Sequence, residues 1–314
     1  MTPEWRSEEL KRAALEIGFD SAGITDLSPT PHADALDAWL AQGYAADMSY
    51  MHRQAQLRKT PSAIVADAKF ALVVTRNHFA PDPPRSAGRG LVARYARSRD
   101  YHETVGADLK SLVAHVRDLG NEATIARPYV DAGPVPEREL AQRAGLGWIG
   151  KNTMLIDPSR GSYSFVGSIL TNLELAVDHP FEWDRCGTCT RCLDVCPAQA
   201  FPAPRILDST RCISYLTIEH RGEYSEDQRA WGDHRIFGCD LCQDVCPWNQ
   251  KFAAVPHIPM PDFDPTLAWL DLAVFQTMTA EEFELRFGWT PLERPGLAGM
   301  RRNAQLALER EKAS

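Results

Sequence analysis

The chain has 314 residues, of which 44% are hydrophobic and 24% are charged, and its formal net charge is −8. These values describe an ordinary globular protein that can bury a sizeable core in two or three domains, and the acidic balance argues against a mainly nucleic-acid-binding chain. No apolar run is long enough to span a bilayer, and the polar N-terminus lacks the apolar region of a secretory signal. We therefore expect a cytoplasmic protein that is not inserted in a membrane.

Predicted helices and strands alternate through the first part of the chain. Hydrophobic periodicity predicts helices at 4–18, 32–42, 101–119 and 137–144, and short apolar runs predict strands at 19–25, 70–75, 129–131 and 163–170. Loops are predicted at 58–61 and, rich in proline and glycine, at 81–90. This alternation to about residue 178 indicates an α/β or α+β domain. Beyond residue 256 the chain is punctuated by prolines, and helices are predicted at 264–288 and 297–311.

Residues 51–130 carry a local excess of positive charge. Thirteen lysines and arginines stand against seven aspartates and glutamates, which gives a local net charge of +6. A solvated basic face and a contact with a phosphate-bearing partner, either a cofactor or RNA, explain this excess equally well. The densest part contains Arg85, Arg89, Arg94, Arg97 and Arg99.

All eight cysteines lie between residues 186 and 246. A run C-x2-C-x2-C-x3-C-P begins at residue 186, a single cysteine stands at 212, and C-x2-C-x3-C-P begins at 239. This spacing is typical of two cubane iron–sulfur clusters, in which the cysteine before each proline ligates the other cluster. The first predicted cluster then has the ligands Cys186, Cys189, Cys192 and Cys246, and the second has Cys196, Cys212, Cys239 and Cys242.

Structural zinc and disulfide bonds are the competing interpretations of these cysteines. Zinc sites generally use two C-x2-C pairs for one ion, whereas here three cysteines precede a repeated C-x3-C-P ending. Disulfide bonds are rare in a reducing cytoplasm. The spacing therefore favours two [4Fe-4S] clusters, and clusters this close imply one-electron transfer between them.

Two shorter motifs resemble known cofactor signatures without matching them. Residues 145–150 read G-x-G-x-x-G, but a dinucleotide fingerprint follows a strand, and these glycines follow a predicted helix. Gly145 is therefore predicted to end that helix. Asp100, His102 and Gly106 nearly form a D-x-H-x-x-G cobalt-ligating signature, but the spacing is one residue too long. We expect His102 to be a surface or core histidine.

Several longer segments together resemble one family. They read RYARSRDYH at 94–102, Val-Asp at 130–131, AGLGWIGKN at 144–152, RCISYLTIE at 211–219 and GCDLCQDVCPWN at 238–249. In order and spacing the chain, up to about residue 255, resembles epoxyqueuosine reductases, the cobalamin-dependent enzymes of the last step of queuosine synthesis in tRNA.

The resemblance implies an α+β protein of three parts. An α/β cobalamin-binding domain resembling that of reductive dehalogenases is expected at 1–178. A ferredoxin-like domain with two [4Fe-4S] clusters is expected at 179–255, with the cluster ligation given above. A short helical segment at 256–314 would correspond to the start of the HEAT-like repeat of longer members.

The resemblance also implies roles for single residues. Asp131 matches the position of the family's proposed proton donor, and Leu155 and Val166 are expected to act through backbone or packing contact. The residues expected to contact the cobalamin are Arg58, Asp131, Leu155, Val166, Ser214 and Asp240. Two departures stand out: many members have glutamate at the position of Ser168, and the chain ends at Ser314, so the tRNA contacts of a full HEAT domain are expected to be absent or reduced.

The implied reaction is reduction of epoxyqueuosine to queuosine at position 34 of the tRNA anticodon loop. It removes the epoxide oxygen as water and consumes two electrons and two protons. Side chains hold no transferable electrons, so a metal cofactor must carry the redox chemistry. Because the histidine signature is not matched, we expect cobalamin to bind without a protein histidine on cobalt, which leaves the metal free to be reduced. Desolvation against the corrin would favour the protonated form of Asp131, which could otherwise simply cap a loop.

The expected partners are a tRNA and an electron donor, either a reductase or a carrier of the flavodoxin or ferredoxin kind, and the expected oligomeric state is a monomer. Two other functions are considered. A reductive dehalogenase acting on a small molecule would share both cofactors, but such enzymes typically have a twin-arginine signal and a tyrosine proton donor. A plain ferredoxin-type electron carrier would not need the large α/β domain.

Overall fold

The computed structural model describes residues 1–313, with side chains described to residue 312. The α-helices are α1 Pro3–Ile17, α2 Ala33–Ala41, α3 Ser49–Arg53, α4 Ala55–Lys59, α5 Tyr101–Asp118, α6 Glu137–Arg143, α7 Arg191–Asp194, α8 Ile213–Ile218, α9 Glu226–Trp231, α10 Leu241–Asp244, α11 Pro247–Phe252, α12 Val274–Thr277, α13 Ala280–Phe287 and α14 Gly296–Ala313. The strands are β1 Ser21–Asp26, β2 Phe70–Asn77, β3 Arg89–Val92, β4 Ala126–Val130, β5 Trp148–Ile149, β6 Leu155–Ile156, β7 Ser164–Thr171, β8 Arg235–Phe237 and β9 Trp269–Asp271. Within these residues, no helix combines the length and the hydropathy needed to cross a bilayer.

Four antiparallel strands form the central sheet in the order β1-β2-β7-β4. Successive side chains of a strand point to opposite faces of its sheet. Ile169 of β7 accordingly belongs to the same apolar cluster as Leu109 of α5, whereas Leu170 belongs to a second cluster with Leu140 of α6. The sheet is therefore covered by helices on both faces, which explains why β2 and β7 read as nearly continuous apolar runs.

A second sheet joins three distant parts of the chain. Strand β3 pairs in parallel with β8 and antiparallel with β9, so residues from all three predicted domains share one set of hydrogen bonds. Phe237 of β8, Phe275 of α12 and Met300 of α14 lie in the apolar cluster beneath it. The division at residues 178 and 255 stays a prediction, and this sheet is where the three parts meet.

Most predicted elements are confirmed to within about three residues, including α1, α2, α5, α6, β1, β2, β4, β7 and α14. The predicted helix at 264–288 was wrong in part, because Trp269 of β9 pairs with Leu91 and the helical residues divide between α12 and α13. Strand pairing with a distant segment outweighed the local helical periodicity. The loop predicted at 58–61 was also wrong, since Arg58 lies in α4 and Pro61 opens a short 3-10 turn.

Two of the arginines predicted to form a basic face are buried ion-pair partners. The side chain of Arg94 is 8% exposed and pairs with Asp240, Asp244 and Asp82. The side chain of Arg97 is 1% exposed and pairs with Asp82 at 2.6 Å. Neither a solvated face nor a phosphate contact describes these two residues, because folding brings Asp82 against both of them and carboxylates of the second cysteine run against Arg94.

The other three arginines of this segment also have partners within the chain. Arg85 pairs with Glu311, and Arg99 pairs with Asp262 and Glu103. Arg89 donates to the backbone carbonyl of Trp269 at 3.0 Å. The sequence count of +6 therefore overstated the free positive charge, since these cations are used to connect the parts of the fold.

Replacing Arg94 with Gln is expected to lower the free energy of unfolding by about 3–5 kcal/mol, because it leaves the buried Asp240 carboxylate without its cation. The matched change Arg99→Gln removes an exposed, solvent-screened pair and is expected to lower the free energy of unfolding far less. Anaerobic urea unfolding followed by tryptophan fluorescence measures both. Similar losses in the two variants would contradict a structural role for the buried pairs.

Candidate active site and cysteine centres

The eight cysteines are free thiols and fall into two groups of four. One group lines a cavity of about 160 Å³ together with Lys151 and Trp248. In the other group, the charge of Cys196 acts on Cys212, and the charge of Cys212 acts on Cys239 and Cys242, so these four residues are neighbours. The cavity-lining group is Cys186, Cys189, Cys192 and Cys246.

The thiol environments suit sulfur ligands of a metal cluster. Burial, with a contribution from neighbouring thiols, raises the pKa of Cys192 to about 11 and that of Cys239 to about 12. Thiols with raised pKa values lose their protons readily only when a cation binds the sulfur. A bound iron ion therefore stabilises the thiolate form. Trp148 donates its indole N–H to Cys186 Sγ, and Ala200 donates its backbone N–H to Cys196 Sγ, both at 3.4 Å. Hydrogen bonds of this kind tune the properties of bound clusters.

The glycine-rich segment 144–152 connects the central domain to both cysteine runs. Lys151 Nζ donates to the carbonyls of Gly187 and Cys189 at 2.7 and 3.0 Å. The side-chain amide of Asn152 donates to the carbonyl of Cys242 at 3.2 Å. The dinucleotide-like spacing therefore belongs to a structural connection between the domains.

The expectations for the two near-miss motifs are confirmed. Gly145 has φ +79°, and its N–H donates to the carbonyl of Gln142, which ends α6 in the left-handed conformation that favours glycine. His102 lies at the start of α5 with an exposed side chain whose ring nitrogen lies 2.8 Å from Asp100. This hydrogen bond to Asp100 raises the pKa of His102.

Asp131 follows directly on the last residue of β4 and has φ +48°, a left-handed backbone that is uncommon for an aspartate. Its N–H donates to Glu137 Oε1 at 2.7 Å. Its carboxylate accepts a short hydrogen bond from the Tyr101 hydroxyl. The ring of Tyr101 is stacked on Phe165 at 4.4 Å, so a rigid aromatic pair orients the hydroxyl. Strain of this kind persists where surrounding contacts hold it, and it is common at active sites.

Glu137 and Tyr101 are the functional residues that the sequence analysis missed. Burial, with a further contribution from the charge of Asp131, raises the pKa of Glu137 to about 8. Burial also raises the pKa of Tyr101, followed by the charge of Asp131. Their only sequence signal was position: Tyr101 opens a predicted helix, and Glu137 opens the helix that follows Asp131.

Arg58 lies beside the Asp131 loop. Its guanidinium donates to the carbonyls of Gly133 at 3.2 Å and Val135 at 3.4 Å. Its Nε is buried and has no partner in the part of the chain that the structure describes, and burial lowers the pKa of the group. A buried cation with an unused donor is a suitable contact for a polar substituent of a bound ligand.

Leu155 and Val166 lie in the same apolar cluster as Val135, on the α6 side of the sheet. Ser168 is two residues further along β7, and its hydroxyl is buried without a partner among the described residues. The structure therefore brings an apolar surface together with Arg58 and unused polar donors. Corrin rings with amide substituents need this combination of contacts.

Ser214 and Asp240 lie beside the second cysteine group instead. Ser214 is in α8, two residues after Cys212. Asp240 is buried, and its carboxylate accepts from the backbone N–H of Arg94 at 2.9 Å. The Asp240 side chain is thus committed to Arg94. The charges of Asp131 and Asp240 both raise the pKa of Tyr95, after burial, so this tyrosine lies between the two sets of residues.

The profile described as "Epoxyqueuosine reductase QueG, DUF1730" matches residues 58–132, and the "4Fe-4S double cluster binding domain" matches residues 185–249. An epoxyqueuosine reductase of Cellulophaga algicola is 35% identical over 303 residues, which cover 96% of this chain and 98% of the relative. The chain belongs to the epoxyqueuosine reductase family. Its relative in Synechocystis is 39% identical over 91% of this chain and the whole relative, and that in Xanthomonas campestris is 39% identical over 98% of this chain and 87% of the relative.

Solved structures of the family have the same fold. An epoxyqueuosine reductase crystallised with an epoxyqueuosine-modified tRNA-Tyr stem loop is 32% identical, with a TM-score of 0.88 over 97% of this chain and 81% of that chain. The Bacillus subtilis enzyme, with an aspartate catalytic loop swung out of its active site, is 31% identical with a TM-score of 0.87 over 98% and 82%. A catabolic reductive dehalogenase, 18% identical with a TM-score of 0.51 over 97% and 38%, shares the fold alone.

These comparisons confirm the predicted fold class, the family and the two [4Fe-4S] clusters. The double-cluster profile and the free thiols exclude the zinc and disulfide interpretations of the cysteines. Family membership also argues against a plain electron carrier, because the profile of the reductase family matches residues of the central domain.

Replacing Glu137 with Gln tests the environment of this carboxyl group. With a pKa of about 8 in the folded chain against an ordinary 4.5, Glu137 keeps a proton that the unfolded chain loses. The free energy of unfolding therefore falls as the pH rises from 4.5 to about 8, and the Gln variant lacks this loss. Between about pH 6 and 8 we expect the free energy of unfolding of the variant to rise by roughly 1–2 kcal/mol relative to that of the native chain, allowing for partial exposure of Glu137.

Thermal unfolding at the two pH values measures this difference. Glu103→Gln is the matched control, because it removes an exposed carboxylate of α5 and should leave the pH dependence unchanged. An identical pH dependence in the native chain and the Glu137→Gln variant would contradict the raised pKa.

Proposed function

We propose that the chain reduces epoxyqueuosine to queuosine in the tRNA anticodon loop, the last step of queuosine biosynthesis. Electrons would pass through two [4Fe-4S] clusters to a bound cobalamin, and Asp131 would donate a proton. The observation that carries the proposal is the left-handed Asp131, held by Tyr101 and Glu137 at the end of β4. One relative is solved with a modified tRNA stem loop and another with an aspartate catalytic loop.

The two cysteine groups would hold the two clusters in the crossed arrangement expected from the sequence. Shared lining of one cavity supports Cys246 as the fourth ligand of the first cluster. The proximity of Cys196 to Cys212 supports the second set. Because each cysteine before a proline serves the opposite cluster, the crossing would keep the clusters close enough to exchange single electrons.

Arg58, Leu155 and Val166 would hold the cobalamin, with Ser214 toward the second cluster. Arg58 Nε and Ser168 Oγ are buried donors without partners in the described chain, and they fit the amide substituents of a corrin better than they fit an empty apolar cavity. Asp240 would contribute through its backbone, since Arg94 occupies its carboxylate. When bound, reduced cobalamin supplies the electrons that open the epoxide.

Asp131 would protonate the alkoxide that epoxide opening creates. Tyr101 keeps its proton because its pKa is raised, so its hydroxyl donates to Asp131 Oδ2 and leaves Oδ1 to carry the transferable proton. Glu137 fixes the backbone of the same residue by accepting its N–H. Two electrons and two protons then convert the epoxide to an alkene and water.

Exposed arginines around Asp131 would meet the tRNA phosphates. The charge of Arg138 acts on Glu137 and Arg58, and the charge of Arg294 acts on His102. Arg221 donates to the backbone carbonyl of Arg294 at 2.8 Å. Arg138 and Arg221 bond only to backbone carbonyls among the described residues, whereas Arg294 pairs with Glu219. Arg138 and Arg221 would therefore replace the arginines of 85–99 as the expected phosphate contacts, since most of those pair with carboxylates.

Replacing Asp131 with Asn tests the proton donor. The amide still accepts from Tyr101 but cannot give up a proton, so turnover should fall by at least about 100-fold while cluster and cobalamin absorption remain unchanged. Nucleoside analysis of modified tRNA measures turnover. Asp118→Asn, at the exposed end of α5, is the control. Turnover in the Asp131 variant equal to that of the control would remove the proposed role.

Replacing Arg138 and Arg221 with Glu tests the tRNA contact. The double variant should bind an anticodon stem-loop at least about tenfold more weakly, and the salt dependence of its binding should be less steep, because fewer counterions are released. Fluorescence anisotropy at several salt concentrations measures both. Arg117→Glu changes an exposed arginine of α5 and should leave binding unchanged. Equal effects of this control and the double variant would argue against the contact.

A further inference from the structure

The surface over the first cysteine group combines an exposed tryptophan and partly buried aromatic rings with cations that form no ion pair among the described residues. We infer that this surface, formed by Lys151, Trp183, Arg185, Arg191, Trp248 and Lys251, is the docking site of a small acidic one-electron carrier protein. The inference rests on the proposed function, because that reaction needs an external source of electrons. It names where they enter and the kind of protein that brings them.

The second cysteine group lies on the active-site side of the chain. Cys212 directly precedes α8, which carries Ser214. Cys239 is next to Asp240, whose charge acts on Tyr95 together with that of Asp131. Electrons leaving toward the substrate therefore leave from this second cluster.

The first cysteine group lies next to a solvent-exposed part of the chain. Residues 182–185 around it are exposed, as are 187, 188, 190 and 191. Its cavity is lined by surface side chains as well as thiols. Because electron transfer requires close approach, a protein carrier must dock where the cluster is nearest to solvent, and that is here.

An arginine and three aromatic rings give this surface the composition of a binding site. The guanidinium of Arg185 lies 5.5 Å from the ring of Phe181, 5.6 Å from that of Trp183 and 6.0 Å from that of Trp248. Trp183 is 70% exposed although it is three residues from Cys186. Exposed tryptophan and arginine side chains are the residue types that most often carry the binding energy of protein interfaces.

The charges on this surface favour an acidic partner. Lys151 and Arg185 line the cluster cavity, and no carboxylate does so among the described residues. Arg191 and Lys251 are exposed beside them, and none of these four cations forms an ion pair within the described chain. The nearby Asp184 is already neutralised by Arg205.

The rest of the chain makes this local charge selective. The formal net charge of the whole protein is −8, so an acidic carrier is repelled from most of the surface and steered toward the cationic part. Each encounter transfers one electron: the reduced carrier is oxidised by one electron and the first cluster is reduced by one. Two encounters supply the two electrons that one epoxide consumes.

The test measures cluster reduction directly in the reconstituted protein with clusters and cobalamin. Reduced flavodoxin, a small acidic carrier, is mixed anaerobically with the protein, and bleaching of the cluster absorbance is followed in a stopped-flow instrument at low and high salt. Arg185→Glu/Lys251→Glu is expected to slow the second-order rate at low salt by about tenfold or more. Reduction by dithionite and the iron content should remain as in the native protein.

Two further variants control the result. Arg286→Glu changes another exposed arginine stacked on an aromatic ring, Phe287, and should leave the flavodoxin rate unchanged. Glu182→Lys adds a cation to the docking surface without removing any hydrogen bond or ion pair of the described residues, and should raise the flavodoxin rate severalfold.

Rates that stay within about twofold of the native value in both the Arg185/Lys251 and Glu182 variants would overturn the inference, as would an equal loss in Arg286→Glu. If the double variant loses iron, Glu182→Lys alone decides the question, since its effect has the opposite sign. The measured quantity is electron entry, so a protein that accepts electrons normally but forms no queuosine would contradict the proposed function and leave the docking site in place.

Discussion

The ion-pair network of Arg94 connects the active-site domain to the second cluster, and the other features of the site depend on it. Its guanidinium meets Asp244 at 2.7 Å and Asp240 at 3.3 Å, and both carboxylates belong to the second cysteine run. Tyr163, which directly precedes β7, donates its hydroxyl to Asp244 at 2.6 Å. A buried network of this kind fixes geometry more than it adds stability, because desolvation offsets most of the attraction. Here it fixes the second cysteine run against the domain that carries Asp131.

The Asp131 loop combines a left-handed backbone with two neighbouring carboxyl groups, those of Asp131 and Glu137. Asp131 occupies a left-handed conformation that non-glycine residues seldom adopt, and aspartate tolerates it better than most. Glu137 accepts its N–H and Tyr101 donates to its carboxylate, so the loop has one contact on each side. The relative with a swung-out aspartate loop shows that this loop can leave its site in the family. The raised pKa of Glu137 places one group that titrates near neutrality beside Asp131.

The protein is acidic overall, and several of its cations are committed to contacts within the chain. Arginines in the middle of the chain are used internally, as Arg94 and Arg97 show by their burial. Unpaired or carbonyl-bound cations remain near the Asp131 loop and around the first cysteine group. Two partners that are both strongly negative, a nucleic acid and an acidic electron carrier, can thus be directed to different surfaces.

The sequence by itself determined the family and the cluster type, because each depends on the identity or spacing of nearby residues. Eight cysteines at fixed intervals define thiolate ligands whatever the surrounding fold, and Asp131 lies in a recognisable motif at the end of a strand. Helices with a clear apolar periodicity, such as α5, could be predicted for the same reason, because that signal lies within the helix itself. The tertiary structure decided the features that depend on residues distant in sequence. Strand β9 forms because Trp269 meets Leu91, and Arg97 is buried because Asp82 and a carbonyl accept from it. The contact of Glu137 with Asp131 likewise exists only once the loop has turned. A pattern of residue types records which groups are present, whereas burial and pairing arise when the chain brings distant groups together.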